Sequence, residues 1–238
     1  MLPYAEADGP HNMAADEALL QSAVHGTASL RFYAWTTPTI SLGYFQPERV
    51  RHEEKQLTAL PFVRRASGGA TLVHHHEVTY ALALPAGISW QTSESWLRRM
   101  HLIIAAALAG NGITAHLYQS TKKSSSASPL CYLQHAPCDL LIGASKIVGS
   151  AQRKQRGALL QHGGILLSGS AYTPALPGIR ELSGRCLTVP ETCASVRQAF
   201  AEQTGWEIEP GDWTASERQA IAELAANKYS QDWWNRKR

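Results

Sequence analysis

The chain has 238 residues, of which 44% are hydrophobic and 17% charged, and its formal net charge is +3. These values fit one domain over residues 1–238 with a substantial core. The charge is too small to indicate a nucleic-acid-binding protein, although it is compatible with an acidic protein partner. No apolar run is long enough to span a membrane, and the N-terminal segment lacks the features of a signal peptide. We therefore expect a cytoplasmic protein whose four cysteines are reduced thiols.

The first part of the chain predicts a helix followed by short strands. Asn12 is a suitable N-cap for the helix, with Asp16 and Glu17 in its early turns. Alternating apolar residues before Pro85 indicate a half-buried strand. The predicted elements are a helix over 13–24, strands over 30–35 and 39–45, a polar helix over 48–57, a short extended segment over 62–65 and a strand over 78–84.

The second part predicts a long helix, a hairpin and two further helices. Thr92 or Ser93 can cap a helix whose apolar residues recur at helical spacing, and Thr214 with Glu217 makes a capping box for the last helix. The predicted elements are a helix over 96–108, strands over 113–118, 139–142, 146–152 and 159–167, an irregular segment over 168–190, and helices over 191–203 and 215–226. Strands and helices are mixed without βαβ alternation, which favours an α+β sheet with helices on its faces.

Residues 64–80, RRASGGATLVHHHEVTY, stand apart from the core patterning. Glycine permits tight backbone paths and close approach to a ligand, and arginine offers a rigid fork of donors for carboxylate or phosphate. The stretch is therefore interpreted either as a loop that cradles a polar ligand group or as a basic strand end followed by an ordinary hairpin turn.

A lysine and a cysteine are the other candidates for chemistry. Lys146 follows a tight turn and is either a solvated strand end or a fixed cation for an oxyanion, carboxylate or phosphate. Cys131 follows the polar stretch 120–129, which is either a linker or a mobile active-site loop, and is either inert or a thiolate nucleophile. His162 is expected to be structural or to support another residue.

A metal site is not expected. The three adjacent histidines of residues 74–76 would point to alternating faces of a strand, so they cannot all converge on one ion. The four cysteines form two pairs, each with six intervening residues, which is not a usual zinc spacing.

Six segments together resemble the family of lipoate–protein ligases and octanoyltransferases, which is related to the biotin protein ligases. They are NMAADEALL, WTTPTISLGYFQ, RRASGGATLVHHHEVTY, DLLIGASKIVGSAQRK, ALLQHGGILL and KYSQDWWN, in the order expected of that family. The resemblance implies a mixed, largely antiparallel β-sheet flanked by helices. It also implies transfer of an octanoyl or lipoyl group to a lysine of a lipoyl domain of 2-oxoacid dehydrogenases or of the glycine-cleavage H protein.

The resemblance also implies roles for individual residues. Lys146 would contact the acyl carbonyl or activated carboxylate. Ala70 departs from the third glycine that is frequent in the ligases, which narrows what that loop can do. The residues implied to line or shape the acyl pocket are Arg64, Ser67, Gly68, Gly69, His74, Gly149, Ser150 and Ala151.

Two chemistries compete within the family. A ligase would activate free lipoate with ATP and Mg²⁺, whereas a transferase would take octanoyl from acyl carrier protein onto a cysteine and need no cofactor. The sequence EVTY at residues 77–80 and the pair Cys131-Tyr132 resemble the cysteine-dependent transferases, and we expect no C-terminal accessory domain. The Pro-Ser that often follows the catalytic cysteine is absent, which leaves Cys138 as a competing nucleophile. The catalytic part of a two-component ligase remains an alternative, since it would also lack the accessory domain.

The expected mechanism begins with attack of the Cys131 thiolate on the octanoyl thioester. Lys146 and nearby backbone N–H groups would stabilise the tetrahedral oxyanion, and a close Lys146 would lower the pKa of the thiol. His74 is a candidate acceptor for the proton of the acceptor lysine. Val73, Leu160 and Ile165 are expected to form an apolar tunnel for the octyl chain. A degenerate, non-catalytic binding module is a further alternative, and biotin ligation is disfavoured because no GRGRxxR-like loop is present.

Overall fold

A computed structural model of the protein describes residues 1–53, 55–87, 94–119 and 130–238. Its strands are β1 (Ala5–Ala7), β2 (Ser29–Trp35), β3 (Thr39–Leu42), β4 (Phe62–Arg64), β5 (Leu72–His74), β6 (Glu77–Leu84), β7 (His116–Leu117), β8 (Leu140–Ile142), β9 (Ser145–Gln155) and β10 (Ala158–Leu166). Its α-helices are α1 (Gly9–Val24), α2 (Trp96–Gly110), α3 (Ile179–Ser183), α4 (Val189–Thr204), α5 (Ala215–Leu224) and α6 (Asp232–Asn235). No helix in these described ranges is both long and apolar enough to cross a membrane.

The described strands form a large and a small sheet. The seven-stranded sheet has the order β1-β2-β6-β10-β9-β8-β7, and the three-stranded sheet has the order β4-β3-β5. Within the large sheet only β1 and β2 are parallel neighbours, whereas in the small sheet β3 is parallel to β4 and antiparallel to β5. The predicted α+β class with a mixed, largely antiparallel sheet is therefore confirmed.

Strand β6 is buried on both faces, and the prediction of a half-buried strand was wrong. Tyr80 and Leu82 belong to the core that contains α2, whereas Ala81 and Ala83 belong to the core that contains α1. The alternation in the sequence is therefore between large and small apolar residues, because helices cover both faces of the strand.

The N-cap of helix α1 lies four residues before the predicted cap, Asn12. Asp8 is the N-cap, its carboxylate accepts from the N–H of His11, and proline occupies the first turn. Asn12 lies inside the helix and is buried, and its amide donates to the carbonyls of Ala7 and Ala34. Asn12 therefore ties α1 to β1 and β2 instead of capping the helix.

Other predicted boundaries also moved. Ser95 is the N-cap of α2, and the predicted caps Thr92 and Ser93 lie outside the described residues. The strands predicted over 39–45 and 113–118 are shorter, and residues 48–57 contain 3₁₀ turns instead of a regular helix. The capping box of Thr214 and Glu217 is confirmed by its two reciprocal hydrogen bonds. The segment predicted to be irregular contains α3, and residues 120–129 lie outside the described residues.

Candidate active site

A small, mainly apolar cavity lies where the two sheets meet, and it brings together residues from α1, both sheets and the segment after residue 129. Its volume is about 40 Å³. A water molecule needs about 10–15 Å³ of such space, so the cavity is small for an acyl chain. Six of the predicted site residues line it, namely Gly69, His74, Cys131, Gly149, Ser150 and Ala151.

Cys131 and Lys146 approach each other at one end of the cavity. Lys146 Nζ lies 3.5 Å from Sγ of Cys131 and 2.7 Å from Oδ2 of Asp139. It also donates to the carbonyls of Cys131 and Gln134, both at 3.3 Å. An ammonium has three protons, so these four oxygen and sulfur atoms compete for them. A new oxyanion beside Sγ would find a fixed cation already in place.

Lys146 is held as a cation. Burial alone lowers its pKa, but attraction to Cys131 and Asp139, with hydrogen bonds to both, outweighs burial and raises the pKa above the ordinary lysine value. Only 3% of the lysine side chain is exposed. Lys146 is therefore suited to stabilise negative charge and unsuited to accept a proton.

The local fold places the cysteine by backbone contacts. Cys131 begins a 3₁₀ turn of residues Cys131–Leu133, and its N–H donates to the carbonyl of Thr71 at 2.8 Å. Leu130 and Thr71 form an isolated parallel bridge, which joins this segment to the glycine stretch. The alternative nucleophile, Cys138, does not line the cavity, and burial raises the pKa of its thiol.

Gly149 leaves space for the side chain of Lys146, which lies against it on β9. A Cβ on Gly149 would lie 2.5 Å from Cε and 2.9 Å from Nζ of Lys146. On the neighbouring strand, a Cβ on Gly164 would lie 2.7 Å from Oε2 of Glu77 and 2.9 Å from the Tyr132 hydroxyl. The two glycines form a cross-strand pair and leave space for the side chains above the sheet.

The two adjacent arginines have separate positions. The fully buried Arg64 does not line the cavity, and its guanidinium donates to backbone carbonyls, which are those of Gly43, Tyr44, Gln46, Trp234 and Asn235. Asn235 Oδ1 also accepts from the Arg64 N–H, and Trp234 Nε1 donates to the Arg64 carbonyl. These contacts show Arg64 joining α6 to the sheets rather than reaching the predicted acyl pocket.

Arg65, which the sequence did not single out, lines the cavity instead. Its two terminal nitrogens donate to Ser41 O and Oγ and to the carbonyls of Gly68 and Ala70, whereas its Nε has no partner among the described residues. Burial lowers the pKa of Arg65 to about 10, so it stays a cation at neutral pH. The glycine stretch thus encloses a fixed guanidinium.

The first of two histidine chains runs from Arg65 to a glutamate. Ser41 Oγ lies 2.7 Å from His74 Nε2, and His74 Nδ1 lies 2.5 Å from Oε1 of Glu77. A carboxylate only accepts, so Nδ1 carries the proton and Nε2 accepts from the serine hydroxyl. Trp35 stacks on the imidazole at 3.8 Å and fixes its plane. Arg65 donates to the same serine oxygen, so a cation already occupies the serine end of this hydrogen-bond chain.

The second hydrogen-bond chain runs from Asp16 through His162 to Ser67. His162 Nδ1 lies 2.7 Å from Oδ2 of Asp16, and its Nε2 lies 2.5 Å from Oγ of Ser67. Asp16 also accepts from Arg31 at 3.0 Å and from the Tyr33 hydroxyl at 2.8 Å. With Nδ1–H donated to Asp16, His162 Nε2 accepts from the Ser67 hydroxyl, and the structure gives Ser67 Oγ no other described partner.

A third network lies on the opposite face of β9. Burial lowers the pKa of His101, so the ring is neutral, donates from Nδ1 to the Cys138 carbonyl at 2.5 Å and accepts from Ser150 at Nε2 at 2.6 Å. Tyr80 then donates to Ser150 Oγ at 2.6 Å. Sequence periodicity placed His101 only within a core helix and gave no sign of this role.

The structure separates the predicted site residues into groups. Ser67, Gly68 and Lys146 adjoin the cavity through the contacts above without lining it, and Arg64 lies apart. The predicted tunnel was wrong, since its members lie in different hydrophobic cores: Val73 in the small sheet, Leu160 beside α1 and Ile165 beside α2.

Within the described ranges, no three histidine, cysteine, aspartate or glutamate side chains are grouped so that they could hold a metal ion. His75 and His76 leave β5 and stack on each other at 3.6 Å, and His75 contacts the Ser170 hydroxyl. The sequence analysis assigned no role in the site to Asp16, Arg65 or Asp139, because no local pattern marks their contacts with His162, Ser41 and Lys146.

Comparison with known proteins agrees with this architecture. The family model for the lipoyl protein ligase A/B catalytic domain matches residues 8–201. An octanoyltransferase LipM from Kyrpidia tusciae is 30% identical, over 99% of this chain and 97% of that protein. An octanoyltransferase LipM from Brevibacillus brevis is 29% identical, over 95% of this chain and 94% of that protein.

The solved structures share the fold. The putative lipoate protein ligase Ta0514 from T. acidophilum superposes with a TM-score of 0.82 at 21% identity. The match covers 100% of this chain and 98% of the Ta0514 chain. A bipartite lipoate protein ligase of Thermoplasma acidophilum, from a structural analysis that includes its E2 lipoyl domain, has a TM-score of 0.74 at 18% identity, with 99% and 97% covered. Taken with the family match over residues 8–201, the chain is an enzyme of the lipoyl protein ligase A/B catalytic domain family.

Proposed function

We propose that the chain is an octanoyltransferase of protein lipoylation that takes the octanoyl group from acyl carrier protein onto Cys131 and passes it to an acceptor lysine. The acceptor would lie on a lipoyl domain of a 2-oxoacid dehydrogenase or on the glycine-cleavage H protein. Relatives named octanoyltransferase, similar over nearly the whole chain, support the reaction class. The observation that carries the cysteine route is the 3.5 Å contact between Lys146 Nζ and Cys131 Sγ at the cavity.

The first half-reaction exchanges one thioester for another. Cys131 Sγ attacks the octanoyl carbonyl, the bond to the carrier thiol breaks, and the acyl group remains on Cys131. Exchange between thioesters is nearly balanced in free energy, so the enzyme mainly orients the groups and stabilises the oxyanion. Lys146 supplies the fixed positive charge, and no metal or nucleotide is required for this route.

The test is the mass of the intact protein after incubation with octanoyl-acyl carrier protein. Wild type is expected to gain one octanoyl group, and Cys131→Ser is expected to gain none. Cys138→Ser is the matched control, because this cysteine is seven residues away and does not line the cavity. Absence of an adduct in wild type would refute the proposal. An adduct that is lost in Cys138→Ser would identify Cys138 as the nucleophile.

The alternative is an ATP-dependent lipoate–protein ligase, alone or as the catalytic part of a two-component enzyme. The structural neighbours that share this fold are lipoate protein ligases, so the ligase reaction is tested as well. ATP- and Mg²⁺-dependent transfer of free lipoate that is unaffected by Cys131→Ser would establish this alternative. Strict dependence on Cys131, with no need for ATP, would reject it.

A further inference from the structure

Transfer to the acceptor lysine needs a proton acceptor that Lys146 cannot supply. Its ammonium stays paired with Asp139 and donates to two carbonyls, and these contacts remain when Cys131 carries the acyl group. As the amine attacks the acyl group, the nitrogen becomes positive and must lose a proton for the amide to form. The proton acceptor therefore lies elsewhere around the cavity, and within the described lining the two histidine chains are the candidates.

The chain through His74 is blocked. Its Nε2 already accepts from Ser41, and Arg65 donates to the same serine oxygen at 2.8 Å. A second cationic N–H group, such as the nitrogen of the attacking lysine, would meet this guanidinium at the serine. Like charges so close repel each other, so His74 is a poor route for that proton.

In the chain through His162, the Ser67 oxygen is available to accept a proton from the amine. Its Nε2 accepts from the Ser67 hydroxyl, and Ser67 Oγ has no further partner among the described residues. At the other end, Asp16 receives hydrogen bonds from Arg31 and Tyr33 and can stabilise an imidazolium. Burial and Asp16 raise the pKa of Tyr33 well above its ordinary value, so its hydroxyl stays a donor.

The position of this chain also fits the second half-reaction. His162 lines the same cavity as Cys131, and Gly69, two residues after Ser67, lines it as well. A Cβ added at Gly68 would meet nothing within 4 Å, so the backbone beside Ser67 borders open space. Ser67 itself is buried, so the amine would reach its hydroxyl through the cavity that Gly69 and His162 line.

We propose that Ser67 and His162, held by Asp16, accept the proton of the acceptor lysine in the transfer step. This proposal rests on the proposed octanoyl transfer. Ser67 is the group that contacts the amine, and His162 acts through it.

In this step the incoming ammonium first gives one proton to solvent. As the C–N bond forms, a second proton passes from nitrogen to Ser67 Oγ while the Ser67 proton passes to His162 Nε2. The C–S bond breaks with its electron pair on Cys131, whose thiolate leaves beside Lys146. The imidazolium then returns its proton to solvent, so atoms and charge balance.

The test separates the two half-reactions by rapid quench and intact mass. Octanoyl-enzyme is formed from octanoyl-acyl carrier protein, isolated, and then mixed with a lipoyl domain as acceptor. In His162→Gln the transfer rate is expected to fall about 100-fold more than the rate of adduct formation, which is the range of general base catalysis. Ser67→Ala is expected to show the same selective loss, and His116→Gln, an exposed histidine on β7, serves as the matched control.

Hydroxylamine distinguishes proton transfer from damage to the site, since it attacks thioesters without a general base. Its reaction with the octanoyl-enzyme is expected to be equally fast in wild type and His162→Gln.

The outcomes are distinct. Equal transfer by wild type and His162→Gln, an equal loss with hydroxylamine, or a selective loss found only in His74→Gln would each overturn the relay through His162. Normal transfer in Ser67→Ala would overturn the path through the serine. Failure of wild type to form the octanoyl-enzyme would instead refute the proposed function.

Discussion

Gly149→Ala is expected to disable the candidate site by displacing Lys146. The added Cβ would lie 2.5 Å from Cε and 2.9 Å from Nζ of the lysine. Carbon atoms in favourable contact are about 3.5–4.0 Å apart, so the lysine must move by about 1 Å. Its side chain is 3% exposed and its Nζ is paired with Asp139 at 2.7 Å, so the movement disturbs that ion pair.

The size of the effect follows from what the lysine holds. A shift of about 1 Å carries Nζ away from Asp139, now at 2.7 Å, or from Sγ of Cys131, now at 3.5 Å. Misplacement of a catalytic group by about 1 Å can slow a reaction on the order of 100-fold. Overpacking a closed site also costs about 1–3 kcal/mol in the free energy of unfolding.

The assay is the rate of octanoyl-enzyme formation by rapid quench, with urea unfolding to measure stability. Gly110→Ala is the control, because a Cβ there meets nothing within 4 Å and alanine at this helical position is tolerated. We expect octanoyl-enzyme formation in Gly149→Ala to be about 100-fold slower than in the control. A rate within a few-fold of wild type would show that the fixed position of Lys146 is not needed.

Other substitutions separate structural from catalytic charges. Arg64→Met should lower the free energy of unfolding by at least about 3 kcal/mol, because buried carbonyls lose a charged donor, as urea unfolding would show. Asp139→Asn should cost about 3–5 kcal/mol by the same measurement, because the buried Lys146 loses its counter-ion. An unchanged midpoint in either variant would contradict these assignments. For His101, burial lowers the pKa in the folded state, so its contribution to stability is present above the unfolded pKa of about 6.5 and is lost as the pH falls toward the folded value. Stability should therefore decline less over this window in His101→Gln than in wild type, and parallel pH curves would exclude the effect.

The sequence predicted elements better than their ends. Periodicity located α2 and β6 because their apolar residues repeat regularly, but it could not show that helices cover both faces of β6. Asn12 resembled a cap because asparagine favours that position, whereas tertiary hydrogen bonds to Ala7 and Ala34 use its amide inside the helix. The stronger start signal was Asp8 followed by Gly9 and Pro10.

Within the candidate site, the resemblance located the segments but not every side chain. Adjacent residues on a strand point to opposite sides, so the choice between Arg64 and Arg65 depends on how β4 pairs with β3. That register follows from packing of the small sheet and from the contact with α6. Likewise His162 and Asp16 are 146 residues apart, and only the position of α1 against β10 joins them.

The site divides two opposite tasks between different groups. Lys146, kept protonated by Asp139 and Cys131, can stabilise an oxyanion or a leaving thiolate but cannot take a proton. His162, which contacts Ser67 at Nε2 and Asp16 at Nδ1, is placed to take a proton through the serine hydroxyl. Attack by an amine on an activated acyl group requires the second task whether the leaving group is a thiolate or an adenylate. Loss of Cys131 therefore tests the acyl donor, whereas loss of His162 tests the acceptor step, and the two results can be interpreted separately.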